Sequence, residues 1–221
     1  MLITVNGVQL HYEVTGNGPA LVALHSNCKD STSLKRLIAS LSEEYTVYAL
    51  DSRGHGESQN VDEFHYRDMA GDVVAFIRNL NLDKPILYGH GDGGVIGLIV
   101  ASENPDIISK LVVSGATTDT EELDGWDVRK VRRKIKKNKP IDPRVRMMMT
   151  EPNADIRLNR IKVPVFLTVG EYDVVNRSET MHILKDIDNS ELHIVHNGDR
   201  DNYVIADDKL GTTIKTWLAR A

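Results

Sequence analysis

The segment 89–94, with the sequence Gly-His-Gly-Asp-Gly-Gly, constrains the fold of this 221-residue chain more than any other feature. It follows a short apolar run, Pro85–Tyr88, and precedes a longer one, Val95–Ala101. A short apolar run bounded by turn residues is typical of a buried strand, and glycines mark sharp turns. The sequence therefore predicts a strand, a tight turn at Gly91 and a helix.

Predicted strands and helices alternate along the rest of the chain. Residues 3–5 and 8–14 form a predicted hairpin, because Asn6-Gly7 suits a type I′ turn. The remaining predicted strands are Ala20–Leu24, Thr46–Leu50, Ile108–Ser114, Val163–Val169 and Glu191–Val195, and the predicted helices are Ser31–Leu41, Arg67–Leu80, Thr180–Ile187 and Tyr203–Leu218. This alternation indicates an α/β fold with a mostly parallel sheet and an antiparallel edge. Ligands of such sheets bind beyond the carboxyl ends of the strands, where the polar and glycine-rich junctions of this chain fall.

Composition narrows the class of protein. The hydrophobic fraction of 41% is ordinary for a soluble chain, and a formal net charge of -5 argues against nucleic-acid binding. The single cysteine, Cys28, excludes an internal disulfide and favours a reducing compartment. The first residues resemble no secretory signal, and no apolar run is long enough for a membrane span. We therefore expect one domain over residues 1–221, in the cytoplasm and away from membranes.

Residues 117–160 interrupt the alternation of strands and helices. An acidic patch that includes Glu121 and Asp127 is followed by a run with eight basic residues in eleven. Val128, Val131 and Ile135 recur at helical spacing, which favours a solvated helix with one face on the protein body. The alternative is a site for an anionic partner. The basic residues are Arg129, Lys130, Arg132, Arg133, Lys134, Lys136, Lys137 and Lys139.

Three motifs, in order along the chain, resemble those of the α/β-hydrolase superfamily. Residues 51–58, Asp-Ser-Arg-Gly-His-Gly-Glu-Ser, are similar to its D-x-R-G-H-G-x-S loop. Residues 89–94 are similar to its G-H-S-x-G-G nucleophile elbow, and residues 170–173 to the turn that carries its catalytic acid. The resemblance covers nearly the whole chain. It implies a twisted, eight-stranded, mostly parallel sheet flanked by helices, with residues 117–160 as a small cap.

The resemblance also implies where a catalytic triad would lie. The acid position falls on Asp173, the nucleophile position on Gly91, and the histidine position on Arg200. Glycine has no nucleophilic side chain, and arginine stays protonated and cannot act as a general base. Two of the three catalytic groups are therefore missing. The oxyanion-hole donors would be the backbone N–H groups of Asn27 and Asp92, which need only backbone geometry. We expect Arg200 to pair with Asp173, since a buried carboxylate without a partner is costly.

Other residues near this edge of the sheet offer substitutes for the missing groups. Asp92 lies one residue beyond the nucleophile position, and we expect it to begin the following helix. Cys28 is expected to be buried and unreactive. His25, His55 and His90 match positions with structural roles, and His196 is expected to end its strand rather than to approach Asp173. Met147–Met149 are expected to fill the core under the cap.

Two functions follow from these residues. The favoured one is a protein of the superfamily that has lost hydrolysis and binds a small ligand under the cap, or a partner. The alternative is a genuine esterase-like hydrolase, or a lyase, with an unassigned nucleophile or base. No cofactor and no metal site are expected, because the sequence contains neither a dinucleotide fingerprint nor metal-ligand spacing.

Overall fold

An eight-stranded sheet with the order β1-β2-β4-β3-β5-β6-β7-β8 forms the centre of the protein. The computed structural model describes residues 1–123, 125–151, 156–199, 202–205 and 209–220. The strands are β1 (Leu2–Val5), β2 (Val8–Thr15), β3 (Ala20–Leu24), β4 (Thr46–Leu50), β5 (Ile86–His90), β6 (Lys110–Ser114), β7 (Val165–Tyr172) and β8 (Ser190–Asp199). The helices are α1 (Lys35–Leu41), α2 (Tyr66–Asn79), α3 (Asp92–Glu103), α4 (Trp126–Lys136), α5 (Pro143–Thr150), α6 (Arg177–Asp186), α7 (Asn202–Ile205) and α8 (Lys209–Leu218).

The strand directions confirm the predicted α/β fold. β1 and β2 form the predicted hairpin, and β2 pairs antiparallel with β4. The pairs from β4 through β8 are all parallel. The carboxyl ends of β3, β5, β6 and β7 therefore meet at one edge of the sheet, where the polar junctions were predicted.

Two apolar layers cover the sheet. One layer includes α2 and α3, and the other includes α1 and α8. Helix α3 is buried along most of its length, as expected of a helix that is apolar on all sides. Two close approaches position it: a Cβ at Gly94 would lie 2.9 Å from Val113, and one at Gly97 would lie 2.9 Å from Leu111. Helix α3 is therefore fixed tightly against β6.

The loop after β4 is built around the buried carboxylate of Asp51. Its two oxygens accept hydrogen bonds from the backbone N–H groups of Ser31 (2.8 Å) and Glu57 (3.0 Å). A Cβ at Gly56, where φ is +51°, would lie 2.2 Å from this carboxylate, so the loop needs glycine there. Arg53 binds Asp72 on α2 through two hydrogen bonds of 2.7 Å. The loop of residues 51–58, which matches the D-x-R-G-H-G-x-S motif, is thus a scaffold that connects the end of β4 to Ser31 and to α2.

Several predicted boundaries differ from the structure. The predicted helix Ser31–Leu41 is a 3₁₀ turn over Ser31–Leu34 followed by α1. Asp30 caps the 3₁₀ turn, because its side chain accepts a hydrogen bond from the Thr32 N–H. Strand β8 extends to Asp199, beyond the predicted end at Val195, because it stays paired with β7 through a bulge. The predicted helix Tyr203–Leu218 is described as α7 and α8, with residues 206–208 outside the described part of the chain.

Candidate functional site

Gly91 occupies a sharp turn between β5 and α3. Its backbone has φ +55° and ψ −117°, a combination that only glycine adopts without strain. The turn is tight, because a Cβ at Gly89 would lie 2.1 Å from the Gly93 carbonyl oxygen and a Cβ at Gly93 would lie 2.6 Å from that of Leu24. The strand–turn–helix predicted from residues 89–94 is present, and the turn keeps a backbone geometry that would strain any residue other than glycine at position 91.

The space beside Gly91 is filled by Ser26, from the loop after β3. A Cβ at Gly91 would lie 2.4 Å from Ser26 Oγ and 3.1 Å from Ser26 Cβ. Ser26 is only 4% exposed. A hydroxyl therefore lies next to the position of the missing nucleophile, but it belongs to another loop. Ser26 was not predicted from the sequence as a site residue. Its one signal there is its place between His25 and Asn27, both of which were singled out.

His25 holds this serine in place. Its Nδ1 lies 2.8 Å from the Ser26 carbonyl oxygen, and its Nε2 accepts a hydrogen bond of 3.1 Å from the Ser52 N–H. Both ring nitrogens are therefore engaged with the backbone, and burial lowers the pKa of the imidazole. His25 is a scaffold residue that connects the loop after β3 to the loop after β4.

A small cavity of about 30 Å³ lies at this turn. Its polar side is formed by Ser26, Tyr66, His90, Gly91 and Asp92. Its apolar side includes Val95 from α3, Leu123 and Met148 from the segment between β6 and β7, and Val174 and Val175 after β7. The cavity has room for about one water-sized group.

Asp92 is the first residue of α3 and lies close to Tyr66. Both side chains are buried and both border the cavity. Burial, with the nearby Asp92 charge, raises the pKa of Tyr66 well above its ordinary value. A carboxylate at a helix N-terminus is stabilised by the helix dipole. This environment gives Asp92 a structural role; Tyr66 was not singled out from the sequence.

Asp173 lies after β7 and, among the residues that the structure describes, accepts hydrogen bonds from three donors. Its Oδ2 accepts from the Tyr203 hydroxyl (3.2 Å) and the Gly170 N–H (3.4 Å), and its Oδ1 accepts from the Val175 N–H (3.3 Å). Burial raises the pKa of this carboxyl, although these donors oppose the shift. Tyr203 is the donor that sequence analysis did not anticipate.

The positions of Gly91 and Asp173 are connected through the end of β6. The Gly91 N–H donates to the Ser114 carbonyl oxygen (2.8 Å). A Cβ at the next residue, Gly115, would lie 3.0 Å from both Asp173 Oδ2 and the Tyr203 hydroxyl. Arg200 lies outside the described residues, so its pairing with Asp173 stays a prediction.

The other histidines near this edge have different environments. Burial, followed by the charge of His25, lowers the pKa of His55 to about 4, while its Nδ1 lies 2.9 Å from the Arg53 carbonyl oxygen. His90 borders the cavity, with its ring centroid 6.5 Å from that of Tyr203. The prediction that His196 ends its strand is wrong, because β8 continues to Asp199. His196 is exposed, and its Nδ1 lies 2.7 Å from a carboxylate oxygen of Glu171.

The prediction that Cys28 is buried is wrong. Cys28 is exposed, at φ +56° in the loop after β3, because this loop turns outward directly after the buried Asn27. Asn27 donates through Nδ2 to the Arg144 carbonyl oxygen (3.1 Å). Arg144 Nη1 in turn donates to the Gly54 carbonyl oxygen (3.2 Å). The proposed oxyanion loop is therefore tied to helix α5 by side chains.

Helices α4 and α5 occupy the segment between β6 and β7, where the sequence predicts a small cap. Val128 and Met149 are buried in a cluster with Leu123 and Val175. Met147 is also buried, in the main core, whereas Met148 borders the cavity. Helix α4 therefore has one face on the protein body, as the favoured interpretation required. Its basic face includes Arg132, which donates to the Thr120 carbonyl oxygen (2.6 Å). An anionic partner for this face stays a prediction.

Within the described ranges, no group of three His, Cys, Asp or Glu side chains is placed to hold a metal ion. None of the helices described here is long and apolar enough to cross a membrane.

Comparisons with known proteins agree with this architecture. A family model described as the alpha/beta hydrolase fold matches residues 19–138. Human serine hydrolase BPHL is 29% identical over 98% of this chain and 85% of its own length. A soluble epoxide hydrolase of a Corynebacterium species is 34% identical over 49% of this chain and 38% of its own length. The chain thus spans less than half the length of some curated relatives it matches.

Solved structures show the same fold at low sequence identity. An esterase of Thermogutta terrifontis superposes with a TM-score of 0.81 at 19% identity, covering 99% of this chain and 96% of that one. The enol-lactonase of Burkholderia xenovorans LB400 gives a TM-score of 0.80 at 18% identity, covering 100% of both chains. With the family model matching more than half of its residues, the chain belongs to the α/β-hydrolase fold family.

Proposed function

We propose that this protein is a member of the family that does not hydrolyse esters and that uses the cavity at the elbow to bind a small ligand. One observation carries the proposal: the position of the nucleophile is a glycine, and the space for its side chain holds Ser26. Removal of a triad residue lowers the rate of a serine hydrolase by a factor on the order of a million. A glycine at position 91 is compatible with a site in which catalysis no longer constrains the choice of residue.

The ligand would enter beneath the segment between β6 and β7. The polar floor of the cavity offers a hydroxyl and the N-terminus of α3, whereas Leu123, Met148 and Val175 offer apolar walls. This combination is typical of pockets for small molecules, in which a few polar groups orient an otherwise apolar ligand. The small volume implies that only one end of the ligand reaches the floor.

A second candidate function is hydrolysis with Ser26 as the nucleophile. It is favoured by the position of Ser26 Oγ beside the elbow and by the similarity to human serine hydrolase BPHL. It requires a general base for Ser26. His25 is unsuited to that role, because both of its ring nitrogens are engaged with the backbone. We therefore rank this candidate second.

Turnover and active-site labelling separate the two candidates. The purified full chain would be assayed with p-nitrophenyl acetate and butyrate, then treated with a fluorophosphonate and mapped by peptide mass spectrometry. We expect no saturable turnover and no label on Ser26. The Ser26→Ala variant is the matched control, since it removes the hydroxyl without adding bulk. Turnover that disappears in Ser26→Ala, with a label on Ser26, would overturn the first proposal and establish the second.

A further inference from the structure

We propose that a second cavity, separate from the one at Gly91, binds a linear polyamine through its ammonium groups. This cavity, of about 530 Å³, lies between helix α6 and the segment that follows β6. Among the residues that the structure describes, it shares no lining residue with the cavity at Gly91. The inference is therefore independent of the proposed function.

The buried carboxylate of Glu179 is the main evidence for a cationic ligand. Glu179 is only 3% exposed and borders the cavity. Its Oε1 accepts hydrogen bonds from the backbone N–H of Thr118 and from the hydroxyl of the same residue, the latter at 2.6 Å. In the described part of the chain, no group forms a hydrogen bond with Oε2, and no Lys, Arg or His side chain pairs with the carboxylate. Because a buried charge is costly without a counter-charge, a cation in the cavity would stabilise Glu179.

Helix α6 presents a row of ionisable groups to this cavity. Glu179, His182 and Asp186 all border it, and their positions at i, i+3 and i+7 place them on one face of the helix. The two carboxylates therefore lie about 10 Å apart along the helix axis. His182 lies between them, with its Nδ1 3.7 Å from a carboxylate oxygen of Asp186. The negative charges on this wall are thus spread along a line.

The opposite wall adds negative charge to the cavity. Asp119 and Glu122, in the segment after β6, border it. Asp119 accepts a hydrogen bond from the Glu121 N–H (2.9 Å), and Glu122 accepts one from the Ser178 hydroxyl (2.9 Å). On the described cavity wall there is no Lys or Arg side chain, and His182 is the one group that can become a cation. The resulting potential attracts cations to the cavity.

The arrangement of these carboxylates favours an organic cation over a metal ion. Across the described ranges, no three His, Cys, Asp or Glu side chains lie close enough together to hold a metal. Charges spread along a helix instead match a ligand whose own charges are spread along a chain. Ile156 and Leu158 add apolar surface to the cavity, against which methylene groups can pack. A linear polyamine combines methylene segments with ammonium groups that donate charge-assisted hydrogen bonds to carboxylates.

Isothermal titration calorimetry with spermidine tests the ligand class. The full chain would be titrated in about 0.15 M NaCl, which screens exposed charges more than about 8 Å apart and so suppresses non-specific attraction. We expect saturable binding of spermidine, and we expect MgCl₂ and the peptide acetyl-Lys-Lys-Lys-amide to bind at least about tenfold more weakly. Magnesium tests for a metal site, and the peptide tests whether a protein partner supplies the ammonium groups.

Variants at the cavity test the residues. Glu179→Gln removes the charge but keeps an oxygen that can accept from Thr118, and it should weaken spermidine binding at least about tenfold, because a charge-assisted hydrogen bond becomes neutral. Asp186→Asn, at the more exposed end of the row, should weaken binding about twofold to fivefold. Glu13→Gln is the matched control, since it changes the net charge equally at an exposed position on β2 and should leave binding unchanged.

Several outcomes would contradict this inference. Absent or non-saturable binding of spermidine, or binding of Mg²⁺ or of the peptide that is equally tight, would overturn the ligand class. Equal losses of affinity in Glu179→Gln and Glu13→Gln would overturn the site. If circular dichroism shows that Glu179→Gln does not fold, Asp186→Asn decides, and an affinity equal to that of Glu13→Gln would then overturn the proposal.

Discussion

Ser26 and Gly91 share one space: the Cβ that any other residue would place at position 91 falls 2.4 Å from Ser26 Oγ. Two heavy atoms without a bond do not approach this closely, so the side chain of Ser26 and a side chain at position 91 exclude each other in this arrangement. The glycine at the elbow is thus more than the absence of a nucleophile. It is the condition under which a hydroxyl from the loop after β3 can occupy the floor of the cavity.

Gly91→Ala is expected to destabilise the protein by about 2–4 kcal/mol. The positive φ of +55° contributes strain, and the overlap with Ser26 adds the cost of overpacking. Ser26→Gly should restore part of this loss, because it removes the overlapping atoms but leaves the strain. Chemical denaturation of the four combinations gives the coupling between the positions. Additive effects would mean that the two side chains do not compete for the same space.

The alternation of apolar runs was sufficient to predict most of the fold, and the site was predicted less completely. Strands such as Thr46–Leu50 were predicted to the residue, because a buried strand is a continuous apolar run bounded by turns. Asp92 was placed correctly at a helix start by its charge and the glycines around it. Ser26, Tyr66 and Tyr203 were not assigned to the site, because each reaches it through a contact between distant parts of the chain. Spacing along the sequence carries no information about such contacts.

Arg200 and Asp173 are expected to be energetically coupled. Asp173 accepts hydrogen bonds from three donors in the described part of the chain, yet burial still raises the pKa of its carboxyl, and a guanidinium nearby would stabilise the charged form. Arg200→Gln and Asp173→Asn would be measured alone and together by urea unfolding at pH 7. We expect a coupling free energy of about 1 kcal/mol or more. The control pair, Arg200→Gln with Glu191→Gln, should be additive, since Glu191 pairs with Arg220. A coupling near zero would show that Tyr203 and the backbone alone stabilise Asp173.

The stability of the protein should decrease below pH 6.5 because of His55. Burial lowers its pKa from 6.5 to about 4 in the folded state, so folding favours the neutral ring. A depressed folded-state pKa contributes stability that is fully present above 6.5 and is lost as pH falls toward 4, here by about 3 kcal/mol. His55→Gln should flatten this part of the curve of unfolding free energy against pH. His193→Gln, at a partly buried histidine for which the described residues show no ion pair, is the control and should change the curve less. A wild-type curve that is flat from pH 6.5 to 4 would contradict the prediction.

Tyr66→Phe is expected to destabilise the protein by about 1–3 kcal/mol. It removes a buried hydroxyl that lies close to the Asp92 carboxylate, so that carboxylate loses a polar neighbour. The free energy of unfolding by urea is the measurement. Tyr172→Phe is the matched control, because Tyr172 is 66% exposed and its loss of a hydroxyl should cost little. Were the two variants equally stable, the structural role given to Asp92 would be unsupported.

Restoring hydrolysis is expected to require three substitutions. Gly91→Ser supplies the nucleophile and Arg200→His supplies the base beside Asp173, but the new serine would overlap with Ser26. Ser26→Gly frees that space and returns a small residue to the loop. A serine without its base is a weak nucleophile, and a base without a nucleophile has nothing to activate, so single variants should stay inactive.

All eight combinations at positions 26, 91 and 200 would be assayed for ester hydrolysis and thermal midpoint. We expect activity in the triple variant, with little or none in Gly91→Ser plus Arg200→His, because Ser26 still occupies the space of the new side chain. The triple variant should also unfold at a lower temperature than the parent, since serine at φ +55° reinstates strain of about 1–3 kcal/mol. Activity that is equal in the double and triple variants would mean that Ser26 moves aside readily. If the triple variant is folded but inactive, these three positions are not sufficient for hydrolysis. The geometry of the cavity must then also differ from that of active relatives.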